Sequence, residues 1–221
     1  MQQGPADFVR WLAALPANRG VCVECGAGQA ELSSSLKSHF QQVIAIDASP
    51  PIASRQLYPV QQGLAEALPV ATRSVDLLFS MQAAHHFNLD LHVREAARIT
   101  RPGGIFAMFS WGAIDLPQPV KLAYEPVFVA VSRFWEPDRD WVVSGYNGFE
   151  FPGLPIEVPP FYLTKWFTPE DLETEMASWS AVQAASKYDV EFPEPRLNAF
   201  RVDEQTRFEC RWRIVGQVFR C

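Results

Sequence analysis

From Val21 to Trp111 the chain alternates short, almost wholly apolar runs with stretches of helical periodicity, and this alternation limits the fold more than any other feature. The apolar runs are Val21–Cys25, Val43–Asp47, Val75–Met81 and Ile105–Trp111. Helical spacing falls between them at Glu31–Phe40 and Leu89–Thr100, with a very short helix near Pro51–Gln56. A strand that is apolar on both sides must be covered on both, and helices that alternate with such strands supply the cover. The pattern predicts an α/β fold: a doubly wound, mostly parallel sheet. A further helix is predicted over 6–15, with Phe8, Trp11, Leu12 and Leu15 on one face. Arg101-Pro102-Gly103-Gly104 is predicted to turn the chain into the fourth run.

Beyond Trp111 the composition shifts, and most of the 18 prolines follow it, among many aromatics. Residues 113–160 are read as a helical and aromatic cap, with a helix near Val120–Phe134 and an irregular stretch over Phe151–Pro160. The regular pattern returns with a strand at Phe161–Trp166 and a last strand at Arg211–Phe219. Between them Thr168-Pro169-Glu170-Asp171 opens a helix, Thr168 capping it, Pro169 in the first turn and Asp171 near the positive end. A chain of 221 residues, 48% apolar, fits one domain with core 1–112 and 161–221 and the cap inserted at 113–160.

The net charge of −6 argues against a nucleic-acid partner, because phosphate contacts need lysine and arginine. No apolar run approaches the ~18 residues of a membrane span. Asp7 and Arg10 interrupt the first apolar stretch, so a secretory leader is not expected and the cytoplasm is. Cys22 and Cys25 spell C-x-x-C, yet an offset of three along a strand puts their side chains on opposite faces, against metal or redox chemistry.

The first apolar run ends in Glu24-Cys25-Gly26-Ala27-Gly28-Gln29-Ala30. A glycine-rich turn between strand and helix lets a ligand approach the backbone and offers free N–H groups at a helix N-terminus. Asp47 closes the second run, where a carboxylate can accept both hydroxyls of a ribose. Dinucleotide sites use this layout too, with a third small residue five positions after the first glycine. Here that position is Glu31, which would repel a pyrophosphate. Glu24 instead suits a cofactor with an ammonium group and no phosphate, which favours S-adenosylmethionine over NAD.

With these motifs the sequence resembles the class I S-adenosylmethionine-dependent methyltransferases, and within them the trans-aconitate methyltransferase-like, or type 11, group. Residues 24–30 are similar to the family's first motif and Val43-Ile44-Ala45-Ile46-Asp47-Ala48-Ser49 to its ribose-binding strand. Gly63-Leu64-Ala65-Glu66-Ala67-Leu68-Pro69 resembles the G-x-A-E-x-L-P segment that flanks adenine. Ala84-His85-His86-Phe87 resembles the A-L-H-W-F segment at the reaction site, and Arg98–Gly104 the R-x-L-x-P-G-G turn. The resemblance implies a Rossmann-like sheet of seven strands. It implies a cofactor site at Glu24, Gly26, Ala27, Gly28, Asp47, Ala48, Leu64, Ala65, Glu66, Ser80 and Gln82, and S-adenosylhomocysteine as product. Two positions depart from the family pattern: Ala30 replaces a glycine taken to serve close helix packing, and Leu64 stands where relatives often carry aspartate.

Methyl transfer from a sulfonium is an in-line displacement, so the protein mainly aligns the acceptor and excludes water. The expected acceptor is a small molecule methylated on oxygen, a carboxylate for instance, or on nitrogen. A hydroxyl or amine acceptor needs a base and a carboxylate none. His86 is the candidate base, and only one of His85 and His86 is expected to reach the site, because neighbours along a chain point apart. His39 and His92 are placed on helix surfaces. His85, Trp111, Tyr146, Trp179 and Arg133 are expected at the acceptor, with Trp135, Trp141 and Phe149 as further aromatics and Arg139 as a second cation. A catalytically silent cofactor- or partner-binding relative is the alternative, a NAD-dependent oxidoreductase a more distant one. A monomer or homodimer is expected, without metal.

Overall fold

The computed structural model describes residues 4–188, 193–197 and 203–221. The chain divides into two compact units, one of 1–112, 141–162 and 214–221, the other of 113–140 and 163–213. The division falls first between 112 and 113. At the other edge 141–162 fall with the first unit and 163–213 with the second.

In the first unit, α1 (Pro5–Ala14) precedes β1 (Val21–Cys25), α2 (Glu31–Leu36) and β2 (Gln42–Asp47). After a 3-10 turn at Ala53–Arg55 come β3 (Val60–Gln62) and β4 (Val75–Met81). A second 3-10 turn at Ala84–His86 leads into α3 (Leu89–Ile99) and β5 (Thr100–Asp115). The short β3 escaped the sequence reading because Val60-Gln61-Gln62 has no apolar run. The helix predicted to Phe40 stops at Leu36, and the strand predicted from Ile105 begins at Thr100. Residues 101–104 still make an excursion: Val75 pairs with Thr100 but Leu77 with Ile105, so the strand bulges there, and Gly103 takes φ +79°.

The second unit holds α4 (Gln118–Val131), a 3-10 turn at Ser132–Phe134, α6 (Pro169–Ala177) and α7 (Ser180–Ser186); α5 (Arg139–Val143) straddles the boundary at 140/141. Three more strands complete the sheet: β6 (Leu154–Pro155), β7 (Phe161–Phe167) and β8 (Phe208–Arg220). Thr168 caps α6 as predicted, its hydroxyl accepting Asp171 N–H at 3.2 Å while Asp171 returns the bond to Thr168 N–H at 2.8 Å.

The sheet has eight strands in the order β3-β2-β1-β4-β5-β8-β6, with β7 beside β8. The first five pair in parallel and β6 runs antiparallel to β8. The order reverses at β1, where the chain first builds outward through β2 and β3 and then returns through β4. In such sheets ligands bind beyond the carboxyl ends of the strands at that reversal. Strands β1, β4 and β5 feed both faces of the sheet. Cys22, Leu77, Phe79, Ile105, Ala107 and Phe109 pack with Phe8 and Leu12 of α1 and Leu36 of α2. Val23, Cys25, Leu78, Phe106 and Met108 pack with Ala96 and Ile99 of α3. Cys22 and Cys25 thus lie on opposite faces, and burial pushes both thiols up, away from the reactive thiolate.

Candidate active site

The carboxyl end of β1 turns at Gly26, held by two amides: Gly26 N–H and Ala27 N–H both donate to Ile46 C=O of β2, at 2.8 and 3.0 Å. Gly26 has φ +73°, and a Cβ there would lie 2.3 Å from that of Ala83 and 3.1 Å from the Phe87 ring. Only glycine fits, because the 83–87 segment after β4 packs onto this turn. Gly28, at φ +51°, meets nothing within 4 Å on its Cβ side. The loop thus exposes a bare backbone wall.

Gly28 N–H donates to Asp47 Oδ2 at 2.9 Å and Ser49 N–H to Asp47 Oδ1 at 2.8 Å. These bonds fix both carboxylate oxygens at the end of β2 and leave each with acceptor capacity. The expectation of free loop amides needs correction. Gly26, Ala27, Gly28 and Ala30 N–H are all spent within the protein, the last on Ala27 C=O at 2.7 Å. The helix behind them has only six residues and begins with Glu31. A pyrophosphate would meet an acid and few open donors, whereas an adenosyl group needs the acceptors of Asp47. Ala30 also differs from its expected role: it adopts a left-handed conformation, φ 60°, as the residue that starts α2, so the family's glycine answers a backbone demand there as well as packing.

Glu24 is buried, and its Oε2 accepts both Ser33 N–H, at 2.9 Å, and Ser33 Oγ–H, at 2.5 Å. It therefore ties β1 to the first turn of α2. Burial raises its carboxyl to about 7, against the lowering effect of the Ser33 bonds and helped by the charges of Glu31 and Asp47.

The adenine-flanking segment is held from one helix. His92, Glu95 and Arg98 recur every three residues on α3 and address successive backbone groups of 65–70. His92 Nδ1–H donates to Ala65 C=O at 2.9 Å, Glu95 Oε2 accepts Leu68 N–H at 3.0 Å, and Arg98 donates to Leu68 and Val70 C=O at 2.9 and 2.8 Å. Glu66 answers by accepting Asn88 N–H at 2.7 Å, where Asn88 caps α3. His92 is thus not on a surface: it is 1% exposed, set between the rings of Phe87 and Phe106, and burial lowers its pKa. The three-residue spacing of polar side chains was visible in the sequence, but its target lay more than twenty positions upstream. Leu64 is exposed and Ala65 buried.

At the end of β4, Ser80 is fully buried and its hydroxyl has no partner among the described residues. Gln82 is exposed, at φ 56°, with its N–H on Phe109 C=O. His86 is exposed and His85 half-buried, and the tight turn brings their rings to 4.0 Å instead of pointing them apart. Tyr146 is fully buried, so it does not line an open pocket; it anchors this turn, its hydroxyl 3.4 Å from His85 Nδ1. Its phenol is pushed up to about 12 by burial, opposed by bonds to the backbone of His85 and Ala84. Trp111 packs with the α1 face, on the other side of the sheet from Tyr146.

In the second unit Trp179 lies 5.7 Å from the ring of Trp135 and stacks at 6.0 Å on Phe128. Arg139 sits 4.1 Å over the Trp135 ring. These four help line a cavity of about 230 Å³. Arg133 is not among its lining residues; it covers the ring of Phe134 at 4.8 Å. Sequence reasoning missed Lys121 and Phe128, which line the cavity from α4. On a mostly apolar helix neither carried a local sign of that role.

The open backbone over Gly28, the two fixed oxygens of Asp47 and the unpaired hydroxyl of Ser80 fit an adenosyl cofactor, on a sheet of the class I methyltransferase order. Known proteins agree. Residues 23–108 match the family described as methyltransferase domain. A methyltransferase of Dictyostelium discoideum is 24% identical over 203 residues, 84% of this chain and 76% of that one. The malonyl-[acyl-carrier protein] O-methyltransferase of Dechloromonas aromatica is 36% identical over 90 residues, 40% of this chain and 34% of its own length. The solved structure of a type II methyltransferase from Anaeromyxobacter dehalogenans superposes with TM-score 0.86 at 27% identity, over 100% of this chain and 97% of that one. The protein is an S-adenosylmethionine-dependent methyltransferase of class I. The match to the methyltransferase domain of the type 11 group is carried by residues 23–108.

Proposed function

We propose that the enzyme methylates a small molecule on oxygen, a carboxylate foremost, and that the expected cofactor residues hold S-adenosylmethionine. Bound there, S-adenosylmethionine would supply an activated methyl group. Asp47 would accept the ribose hydroxyls, with Ala48 beside it, and the backbone of Gly26, Ala27 and Gly28 would form the wall along the cofactor. Leu64 would cover adenine and Ala65 would face it with its backbone, positioned by His92 and Glu66. Ser80 and Gln82 would border the site from β4. Glu24 would face the ammonium group through Oε1, since Ser33 occupies Oε2. His86 is exposed at the turn after β4, where it would orient the acceptor or take a proton from a hydroxyl or amine. A carboxylate acceptor leaves it only the orienting task.

The observation that carries the small-molecule reading is the aromatic-walled cavity of about 230 Å³ in the second unit, far too small for a folded macromolecule. No described helix is long and apolar enough to cross a membrane. We place the enzyme in the cytoplasm, acting on a freely diffusing acceptor as a monomer or homodimer. The test is a screen of labelled methyl transfer across small carboxylic acids, phenols and amines. Base-labile methyl esters are the expected products; label entering only amines would overturn the oxygen assignment, and label entering only protein or nucleic acid would overturn the small acceptor. Binding of S-adenosylhomocysteine without transfer to any acceptor, cell extract included, would favour the silent relative.

A further inference from the structure

The cavity of the second unit combines a flat apolar wall with a single sign of charge. Phe128 and Trp179 stack nearly parallel, 21° apart, and Trp135 lies against Trp179 at 41°. Ala113, Ile114, Leu116 and Val131 supply the rest of the apolar lining. Among the described residues, the only ionisable ones lining it are Lys121 and Arg139, in a protein of net charge −6. No carboxylate pairs with Lys121 among the described residues. Among the described residues Arg139 pairs only with Asp140, at 3.8 Å and with the Asp140 side chain 97% exposed, a pairing that water screens almost completely. Arg139 is instead oriented by its stack on Trp135, which presents a planar fork of donors beside the aromatic wall.

Two cations without an acid recognise an anion, and stacked rings recognise a plane. The volume sets the size: a cavity of about 150 Å³ takes a benzene ring, so about 230 Å³ takes one or two fused rings with a small substituent. We propose that this cavity binds a small aromatic carboxylate, its ring against Trp179 and Phe128 and its carboxylate at Lys121 and Arg139. The site is one for an aromatic anion, built wholly within the second unit.

The experiment is calorimetry on the full chain with indole-3-carboxylate as probe, against indole and tryptamine, which keep the ring and remove or reverse the charge. The acid should bind at least tenfold more tightly than either. Lys121→Gln and Arg139→Gln should each weaken the acid about tenfold and leave indole unchanged, and Arg139→Lys should recover part of the loss. Trp179→Leu should weaken acid and indole alike, with thermal unfolding confirming a folded protein in each case. No binding of the acid, tryptamine binding as tightly as the acid, or an unchanged affinity in the Lys121→Gln, Arg139→Gln double variant would overturn the proposal. S-adenosylhomocysteine is titrated in the same samples. If it binds while the acid does not, the aromatic-anion site alone falls; if the acid binds while it does not, the methyl-transfer reading falls and the anion site stands.

Discussion

Gly26 and Gly28 both adopt positive φ in the same loop, yet alanine should act on them through different physics. At Gly26 the new Cβ would sit 2.3 Å from Ala83 Cβ and 3.1 Å from the Phe87 ring, so the 83–87 segment must move or the loop must deform. The left-handed backbone costs ~1–2 kcal/mol for an L-residue, and forcing a methyl into a packed contact adds ~1–3 kcal/mol. Together these put Gly26→Ala roughly 2–5 kcal/mol below wild type. In a chain of this size that lowers Tm by about 5–15 °C. At Gly28 nothing lies within 4 Å, so only the backbone term of ~1–2 kcal/mol applies and Tm should fall by a few degrees. The order reverses for the ligand. The Gly28 methyl projects into the space read here as the cofactor path, so S-adenosylhomocysteine should bind Gly28→Ala at least tenfold more weakly. Differential scanning fluorimetry and calorimetry measure the two effects separately. Gly28→Ala binding S-adenosylhomocysteine like wild type would refute the placement of the cofactor along this loop; equal Tm losses at the two positions would refute the steric account of Gly26.

Three further outcomes are expected. Glu24→Gln keeps an acceptor for Ser33 and removes the charge; since the folded-state pKa is raised from 4.5 to about 7, the folded protein binds the extra proton and wild type loses on the order of 3 kcal/mol as pH rises from about 4.5 to 7. Thermal unfolding across that window should show the loss in wild type and its absence in the variant. His92 has the opposite sign: its lowered pKa makes its contribution present above ~6.5 and lost as pH falls through the folded value. His92→Phe, which strands the Ala65 carbonyl, should cost ~1–3 kcal/mol in denaturant unfolding, remove this acid-side loss and weaken S-adenosylhomocysteine. Asp47→Asn should weaken S-adenosylhomocysteine by ~1.5–3 kcal/mol, about 10- to 150-fold, more than it weakens methionine, and equal effects on both would argue against a ribose contact.

How much of this was written locally differs from residue to residue. Strands β1, β2, β4 and β5 were legible because burial on both faces leaves a continuous apolar run, and α6 because Thr168 and Asp171 cap it within four residues. The place of Asp47 at the carboxyl end of β2 was legible as well, because it closes the second apolar run. Each signal lies within about ten residues of its effect, so chain connectivity alone transmits it. The rest depends on which distant groups meet. Glu24 became a strut for Ser33, Tyr146 a buried anchor for the His85 turn, and His92 a hold on Ala65, because packing brought a donor within reach of an acceptor nine to sixty-one positions away. The commitment of the loop amides, the conformation of Ala30 and the meeting of Lys121 and Arg139 in one cavity with the stacked rings of Phe128 and Trp179 were decided in the same way. A side chain's type is a local property, but its burial and its partner are properties of the packed whole.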